Sequence, residues 1–249
     1  PSYFDFVDWE QELLVSEKGE KHLAYWKEQL AGELPLLELP IDKTRPARQT
    51  YTGATCSVRL STELTGQLRH LAKEQGVSLF VLLLGVYKAL LCRYTNQGDI
   101  IVGVPTLGRP EKRFELVVGY FINMVAMRST INENHSFSYY LDQLKRTVAY
   151  GLGHAVYPFP KLVTQLNLKP DPTHSPVFQT IFVLQNFYSI QAQKELTGKN
   201  PGISIIPDLQ QEGDFDLSME MAEGEHDLSI HLSYNLDLFN EETIIQIGR

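Results

Sequence analysis

Thirteen consecutive residues, Leu79-Phe80-Val81-Leu82-Leu83-Leu84-Gly85-Val86-Tyr87-Lys88-Ala89-Leu90-Leu91, carry one charged side chain, Lys88. Ser78 stands where a helix N-cap is needed, and Asn96-Gln97-Gly98 marks the end of the helical pattern. A helix apolar on nearly every face has to be covered on every face, so the remaining chain must wrap it. The turn residues give way at once to Asp99-Ile100-Ile101-Val102-Gly103-Val104-Pro105, a short apolar run of the kind found in interior strands. Met124-Val125-Ala126-Met127-Arg128 matches it as a companion strand. The nine-residue apolar stretch Leu79 to Tyr87 falls far short of the roughly 20 residues that cross a bilayer, and no signal peptide is visible.

Around this centre the pattern alternates. An aromatic, acidic opening, Tyr3-Phe4-Asp5-Phe6-Val7-Asp8-Trp9, precedes a helix expected from about Glu17 to Leu30, with Leu23, Trp26 and Leu30 on one face. Pro35, Pro40 and Pro46 then forbid a continued helix and require an extended segment. Ala54 to Leu60 reads as a strand, and Ser61 caps a helix with Leu64, Leu68 and Leu71 on one face, stopped by Gly76. Between the two central strands a polar loop runs from Thr106 to Glu115. Helices are expected at Ser136–Tyr150 and Pro160–Leu166, and strands at Phe178–Gln185, Ile203–Ile206, Phe215–Met221 and Leu228–Tyr234. A last helix starts near Asn240. Neither a repeat nor a linker divides the sequence, so the expectation is one α/β unit, a two-layer sandwich with a mixed sheet flanked by helices. Both ends read as cut.

Composition narrows the function. Of 249 residues, 43% are apolar and 21% charged, enough for a real core and incompatible with disorder or coiled coil. Residues 1–199 hold 21 Lys/Arg against 19 Asp/Glu, while 200–249 hold one against eleven. The acidic balance, with no basic stripe interleaved with aromatics, argues against nucleic acid as a partner. Cys56 and Cys92 lie outside any CxxC or Cys/His spacing and read as small core residues in a reducing compartment, so the chain is expected to be cytoplasmic.

The familiar catalytic patterns are missing. Gly-x-Ser-x-Gly, the phosphate-binding loop, Gly-x-Gly-x-x-Gly and His-Glu-x-x-His do not occur. His154, in a loop beside aromatics, could serve as a general base, or could simply pack on Tyr157 and Phe159. His174 lies in turn material between two prolines, and His226 and His231 are expected to face solvent. Asn123 carries an amide into a strand and needs partners for up to four hydrogen bonds, from substrate or backbone. Arg128 can equally hold a carboxylate of the fold, and Asp214 and Asp216 read as a solvated strand face.

Several segments together resemble the condensation domain of non-ribosomal peptide synthetases, along essentially the whole chain. Tyr3-Phe4-Asp5-Phe6-Val7-Asp8-Trp9 is similar to the family's aromatic-Asp-aromatic stretch, and Tyr25-Trp26, Leu39-Pro40 and Arg45-Pro46 to the family segment beyond that stretch. Asp99 to Pro105 is similar to the family strand. Val118-Gly119-Tyr120-Phe121-Ile122-Asn123-Met124, with Arg128 after it, resembles the Val-Gly-x-Phe-x-Asn…Arg motif, the most specific of the set. His154…Tyr157-Pro158-Phe159, Ser175-Pro176-Val177-Phe178-Gln179, and Phe215-Asp216-Leu217 with Tyr234-Asn235-Leu236-Asp237-Leu238-Phe239 complete it. The counterparts of the Asn123 motif and the Phe178 segment read differently in epimerisation domains. Tyr157 to Pro160 and Phe178 to Asn186 are also similar to condensation domains of hybrid assembly lines.

The resemblance implies a chloramphenicol-acetyltransferase-like fold and a parent enzyme that joins a donor acyl or peptidyl thioester to an acceptor aminoacyl thioester. Both would arrive on phosphopantetheine arms of donor and acceptor peptidyl carrier proteins, with no cofactor held directly and no metal. The family's His-His-x-x-x-Asp-Gly motif is absent from these residues. The chain therefore resembles the C-terminal lobe, with no catalytic residue of its own, the histidine motif expected upstream of Pro1, and no turnover alone. Residues 1–50 would be an opening helix and extended segment, and 51–249 the α/β lobe, with 207–235 a latch carrying an unpaired strand edge. Asn123, Gly119, Tyr120 and Arg128 would line the substrate tunnel, with Thr106 to Val118 near its floor; His154, Ser175 and Gln185 are further candidates. Partners implied are the N-terminal lobe, the two carrier proteins and an adjacent adenylation domain, with neither nucleic acid nor membrane. A carrier-protein or inter-domain binding module without catalysis is the alternative.

Overall fold

The computed structural model describes residues 1–169, 171–185, 213–224 and 226–249. Helices α1 (Tyr3–Leu14) and α2 (Glu17–Gln29) come first, and a segment without regular structure leads on to β1 (Gly53–Arg59). Then come α3 (Thr62–Glu74), α4 (Leu79–Thr95), β2 (Asp99–Thr106), a single 3-10 turn (Lys112–Phe114) and β3 (Asn123–Thr130). Next in order are α5 (Phe137–Gly153), α6 (Phe159–Leu166), β4 (Thr180–Gln185), β5 (Leu217–Glu223), β6 (Leu228–Asn235) and α7 (Glu241–Gly248).

The six strands form one mixed sheet in the order β1-β6-β5-β4-β2-β3. Pairings β2–β4 and β4–β5 are parallel, while β2–β3, β5–β6 and β1–β6 are antiparallel. Burial alternates along β5 and β6, as it must where one face packs and the other does not. Along β2 it does not alternate: Ile100 to Val104 are all buried, because the α4 side covers one face and the Phe178 ring lies against Gly103 on the other. A Cβ at Gly103 would overlap that ring.

Helix α4 meets the expectation of a covered helix on most of its faces, with Leu82 and Leu84 fully buried and Gly85 admitting Leu141 of α5, but Val86 stays exposed. Lys88 goes down with it. Its Nζ donates to Ile100 O at 2.8 Å, Met127 O at 2.7 Å and Ser129 Oγ at 2.7 Å, spanning β2 and β3. Burial drives its pKa down to about 7, against the opposing pull of Asp99. Tyr87, equally buried, shares a hydrogen with Thr180 Oγ1 at 2.5 Å. Caps at Ser61, Ser78 and Ser136 each accept from the third helical N–H, as their sequence positions require.

Four expectations need correction. The aromatic opening is itself a helix: Ser2 accepts from Asp5 N while Asp5 accepts from Ser2 N, a capping box that starts α1. The loop from Thr106 to Glu115 is not wholly polar, since Phe114 is fully buried. Asp216 is no solvated strand residue: it is buried and held by Arg45 through 2.8 and 2.5 Å hydrogen bonds. The strand at Phe215–Met221 has no unpaired edge, because β5 is bonded to β4 on one side and β6 on the other. The strand expected at Ile203–Ile206, and residues 207–212 of the expected latch, lie outside the described residues. No single described helix is long and apolar enough to cross a membrane; α3 and α4 together pass on length and composition but are bent by 104°, and α4 is core.

Candidate functional site

Helix α1 presents Tyr3, Phe6, Val7 and Glu10 at helical spacing along one face, with Trp9 beside them, toward a cavity of about 400 Å3. The opposite wall is the loop joining β2 to β3. Gly108 opens it with φ of +60°, where a Cβ would overlap the Phe121 carbonyl, so glycine is required there. Arg109 then folds the loop over itself: Nη1 donates to Phe114 O and, at 2.9 Å, to Val117 O. The same guanidinium lies 4.0 Å above the Phe121 ring.

Aromatic packing joins the two walls. Phe6 meets Phe121 at 4.6 Å and Phe114 at 5.6 Å between centroids, and Tyr3 meets Phe121 edge-on at 5.3 Å. Tyr3 OH donates to Tyr120 O at 2.7 Å, and Gly119 lies so close to the Tyr3 ring that no Cβ fits. Phe6, Phe114, Val117 and Phe121 thus make a small core separate from the main one. Its outer residues do not turn inward with it: Leu116 is 94%, Val118 93% and Tyr120 73% exposed.

Asn123 closes the third side. Its Nδ2 donates to Ala155 O and Tyr157 O, both at 2.8 Å, and its Oδ1 accepts from Phe159 N at 2.9 Å. The amide is spent on backbone, fastening the turn from Ala155 to Phe159 to the start of β3. Thr106 Oγ1 donates to the Asn123 carbonyl at 3.0 Å. Ala155, Val156, Pro158 and Pro160 line the cavity as a result.

His154 does not rest on Tyr157 and Phe159. It stacks on Tyr25 at 3.9 Å and faces His22, Nδ1 to Nδ1 at 3.0 Å, while Trp26 Nε1 donates to its carbonyl at 3.0 Å. Burial lowers the pKa of both imidazoles, with repulsion from His154 and Lys18 adding to the effect at His22, and it raises the Tyr25 hydroxyl to about 12. His22 had no local sequence signal, since its partner is 132 residues away. Arg109 and Glu10, also missed, have their significance only through the cavity.

The remaining candidates lie elsewhere. Arg128 is five residues along β3 from Asn123, roughly 17 Å by strand rise. It grips Asp99 at 2.7 Å and donates to Ala31 O and Glu33 O, holding the chain after α2. Ser175 donates to Asp214 O at 3.0 Å and receives Gln179 Nε2 on its carbonyl. Gln185 ends β4 opposite Ala222. His231 is half-buried and bonded to Ser57 Oγ at 2.8 Å, and His226 is exposed. Among the described residues no group of three or more His, Cys, Asp or Glu could hold a metal.

The chain belongs to the condensation-domain family: the family model for the condensation domain matches residues 1–249. The chain is 46% identical over 244 residues to Polyketide synthase PksN of Bacillus subtilis (strain 168), covering 97% of this chain and 4% of that protein. It superposes on holo-AB3403, a four-domain nonribosomal peptide synthetase bound to AMP and glycine, with a TM-score of 0.85 at 25% identity, over 94% of this chain and 19% of that one. It also matches the X-domain from teicoplanin biosynthesis with a TM-score of 0.86 at 22% identity, over 99% of this chain and 57% of that one. The chain therefore spans a small part of the curated relative and just over half of the X-domain. The chloramphenicol-acetyltransferase-like α/β fold expected from sequence is the one found.

Proposed function

We propose that this chain is the C-terminal lobe of a condensation domain, residues 1–50 bracing it and 51–249 forming the α/β body. It supplies one wall of the tunnel where an acceptor amine attacks a donor thioester. One observation carries the reading: α1, the Val118–Asn123 segment and the His154–Phe159 turn, widely separated in sequence, converge on one cavity. Tyr120 and Asn123 line it, the asparagine also holding the turn, and Gly119 backs it by admitting the Tyr3 ring.

Attack of an amine on a thioester needs a deprotonated nucleophile held in line, and alignment between two surfaces is worth more than any single side chain. Among the described residues no histidine is offered to the cavity, since the Nδ1 atoms of His22 and His154 are engaged with each other, and the one carboxylate that lines it is Glu10. Chemistry then requires the lobe that bears His-His-x-x-x-Asp-Gly, and the exposed Leu116, Val118 and Tyr120 are suited to apolar contact with it. Substrates come on carrier-protein arms beside an adenylation domain, in the cytoplasm, without a resident cofactor. Identity to a polyketide synthase supports a hybrid assembly line. The second reading, a binding module without turnover, draws on the same lack of a histidine at the cavity.

The test is amide formation between two loaded carrier proteins, by the chain alone and by the chain mixed with a separately expressed upstream segment. Product only in the mixture is expected; product from the chain alone contradicts the reading, and carrier binding without product in the mixture supports the binding module.

A further inference from the structure

Several of the polar groups lining the cavity are committed. Tyr3 OH, Thr106 Oγ1 and the Asn123 amide each serve the backbone. The Trp9 indole N–H and the Tyr120 hydroxyl have no hydrogen-bond partner among the described residues, and two charged side chains are not fully committed either. Arg109 spends only Nη1, leaving the Nε and Nη2 donors without a partner among the described residues. Glu10 makes no hydrogen bond or ion pair among them either, and burial raises its pKa against the pull of Lys161. The rest of the lining is aromatic or aliphatic, with Tyr3, Phe6, Trp9 and Phe121 contributing rings.

Arg109 and Glu10 are the charged groups left free, and set among aromatic and aliphatic side chains in about 400 Å3 they suit a ligand with one acceptor, one donor and an apolar body. From this we infer that the cavity selects the aminoacyl substrate by its side chain: an aromatic or large aliphatic residue packs on Trp9, Leu107 and Ile122, the apolar lining left open beside the buried Phe6 and Phe121. Its carbonyl accepts from Arg109, and its α-amine donates to Glu10. The inference rests on the reading above for the class of substrate and adds the specificity. A charged side chain, acidic or basic, would lose water against an apolar lining with Arg109 and Glu10 already committed to the carbonyl and the amine, while a small side chain leaves Trp9, Leu107 and Ile122 uncovered.

Calorimetric titration of this chain with stable aminoacyl-pantetheine amides tests it, using phenylalanyl, alanyl, glutamyl, lysyl and N-acetyl-phenylalanyl probes. The phenylalanyl probe should bind at least about tenfold tighter than the alanyl, glutamyl or lysyl ones, the order expected when several methylenes of apolar contact are lost. Glu10→Gln should weaken the phenylalanyl probe severalfold and leave its N-acetyl form unchanged; Arg109→Met should weaken both. Equal affinity for phenylalanyl and alanyl probes overturns the inference, as does full phenylalanyl affinity in Glu10→Gln, a variant too conservative to unfold α1. The two readings separate cleanly. Amide formation indifferent to the side chain sinks the pocket and keeps the condensation function, whereas selective binding with no amide formed in the two-lobe mixture does the reverse.

Discussion

The main core and the small aromatic core are built on opposite plans. Around α4 and β2 most of the apolar surface is covered, Val86 being the exception in the middle of the helix, and even Lys88 is absorbed, its ammonium satisfied by three oxygens. Around Phe114 and Phe121 four buried residues are held by one helix and one loop, and the next residues outward, Leu116 and Val118, lie almost wholly in solvent. The first arrangement buries its apolar groups in one continuous interior. The second leaves a cavity and an apolar rim, so under the function proposed above stability and recognition would fall to different regions of one chain.

The sharpest break in that contrast is Lys88→Ala. Removing the amine strands Ile100 O and Met127 O in a dry interior and leaves a void, which should cost about 3 kcal/mol or more, read by denaturant unfolding. Lys88→Met keeps the volume but not the donors and should cost less. The substitution also tests a pH effect. The pKa of Lys88 is depressed, so the folded chain holds fewer protons than the unfolded one between pH 7 and 10.5, and stability owed to this group rises across that window. Lys88→Met should flatten the rise.

Next in size is Asn123→Ala, which frees Ala155 O, Tyr157 O and Phe159 N together. A loss of about 1–3 kcal/mol is expected, with faster hydrogen exchange at Phe159 while the amides of β2 stay protected. The smallest effect belongs to the imidazole pair. Both pKa values are lowered in the fold, so the pair contributes stability above pH 6.5 that is lost as pH falls below it. His22→Gln should weaken that acid dependence, and an unchanged midpoint from pH 7 to 5 in the parent chain would show that the pair is not coupled to folding.

The same contrast explains what could be read in advance. Helix α4, strand β2 and the serine caps are local patterns, and each stands where the residues put it. Helix α1 was hidden by its aromatic and acidic composition, which favours helix only weakly; the box between Ser2 and Asp5 was the available signal. Phe114 sits among Glu111, Lys112, Arg113 and Glu115, so its burial is invisible without α1 across from it. Arg45 with Asp216 and His22 with His154 are pairings over more than a hundred residues, which no periodicity encodes. Of the site, the Val118–Asn123 segment and the His154 turn were legible through family resemblance. Arg109 and Glu10 needed the cavity.

The division of labour between the two cores is tested most directly at Gly108, where any side chain must displace the Phe121 carbonyl. Gly108→Ala, mixed with the upstream segment, should lower the rate of amide formation between loaded carrier proteins by tenfold or more. Its melting point should fall by only about 2–6 °C, as roughly 1–2 kcal/mol of local strain in a chain of this size implies. A rate within twofold of the parent would contradict the account, and so would global unfolding.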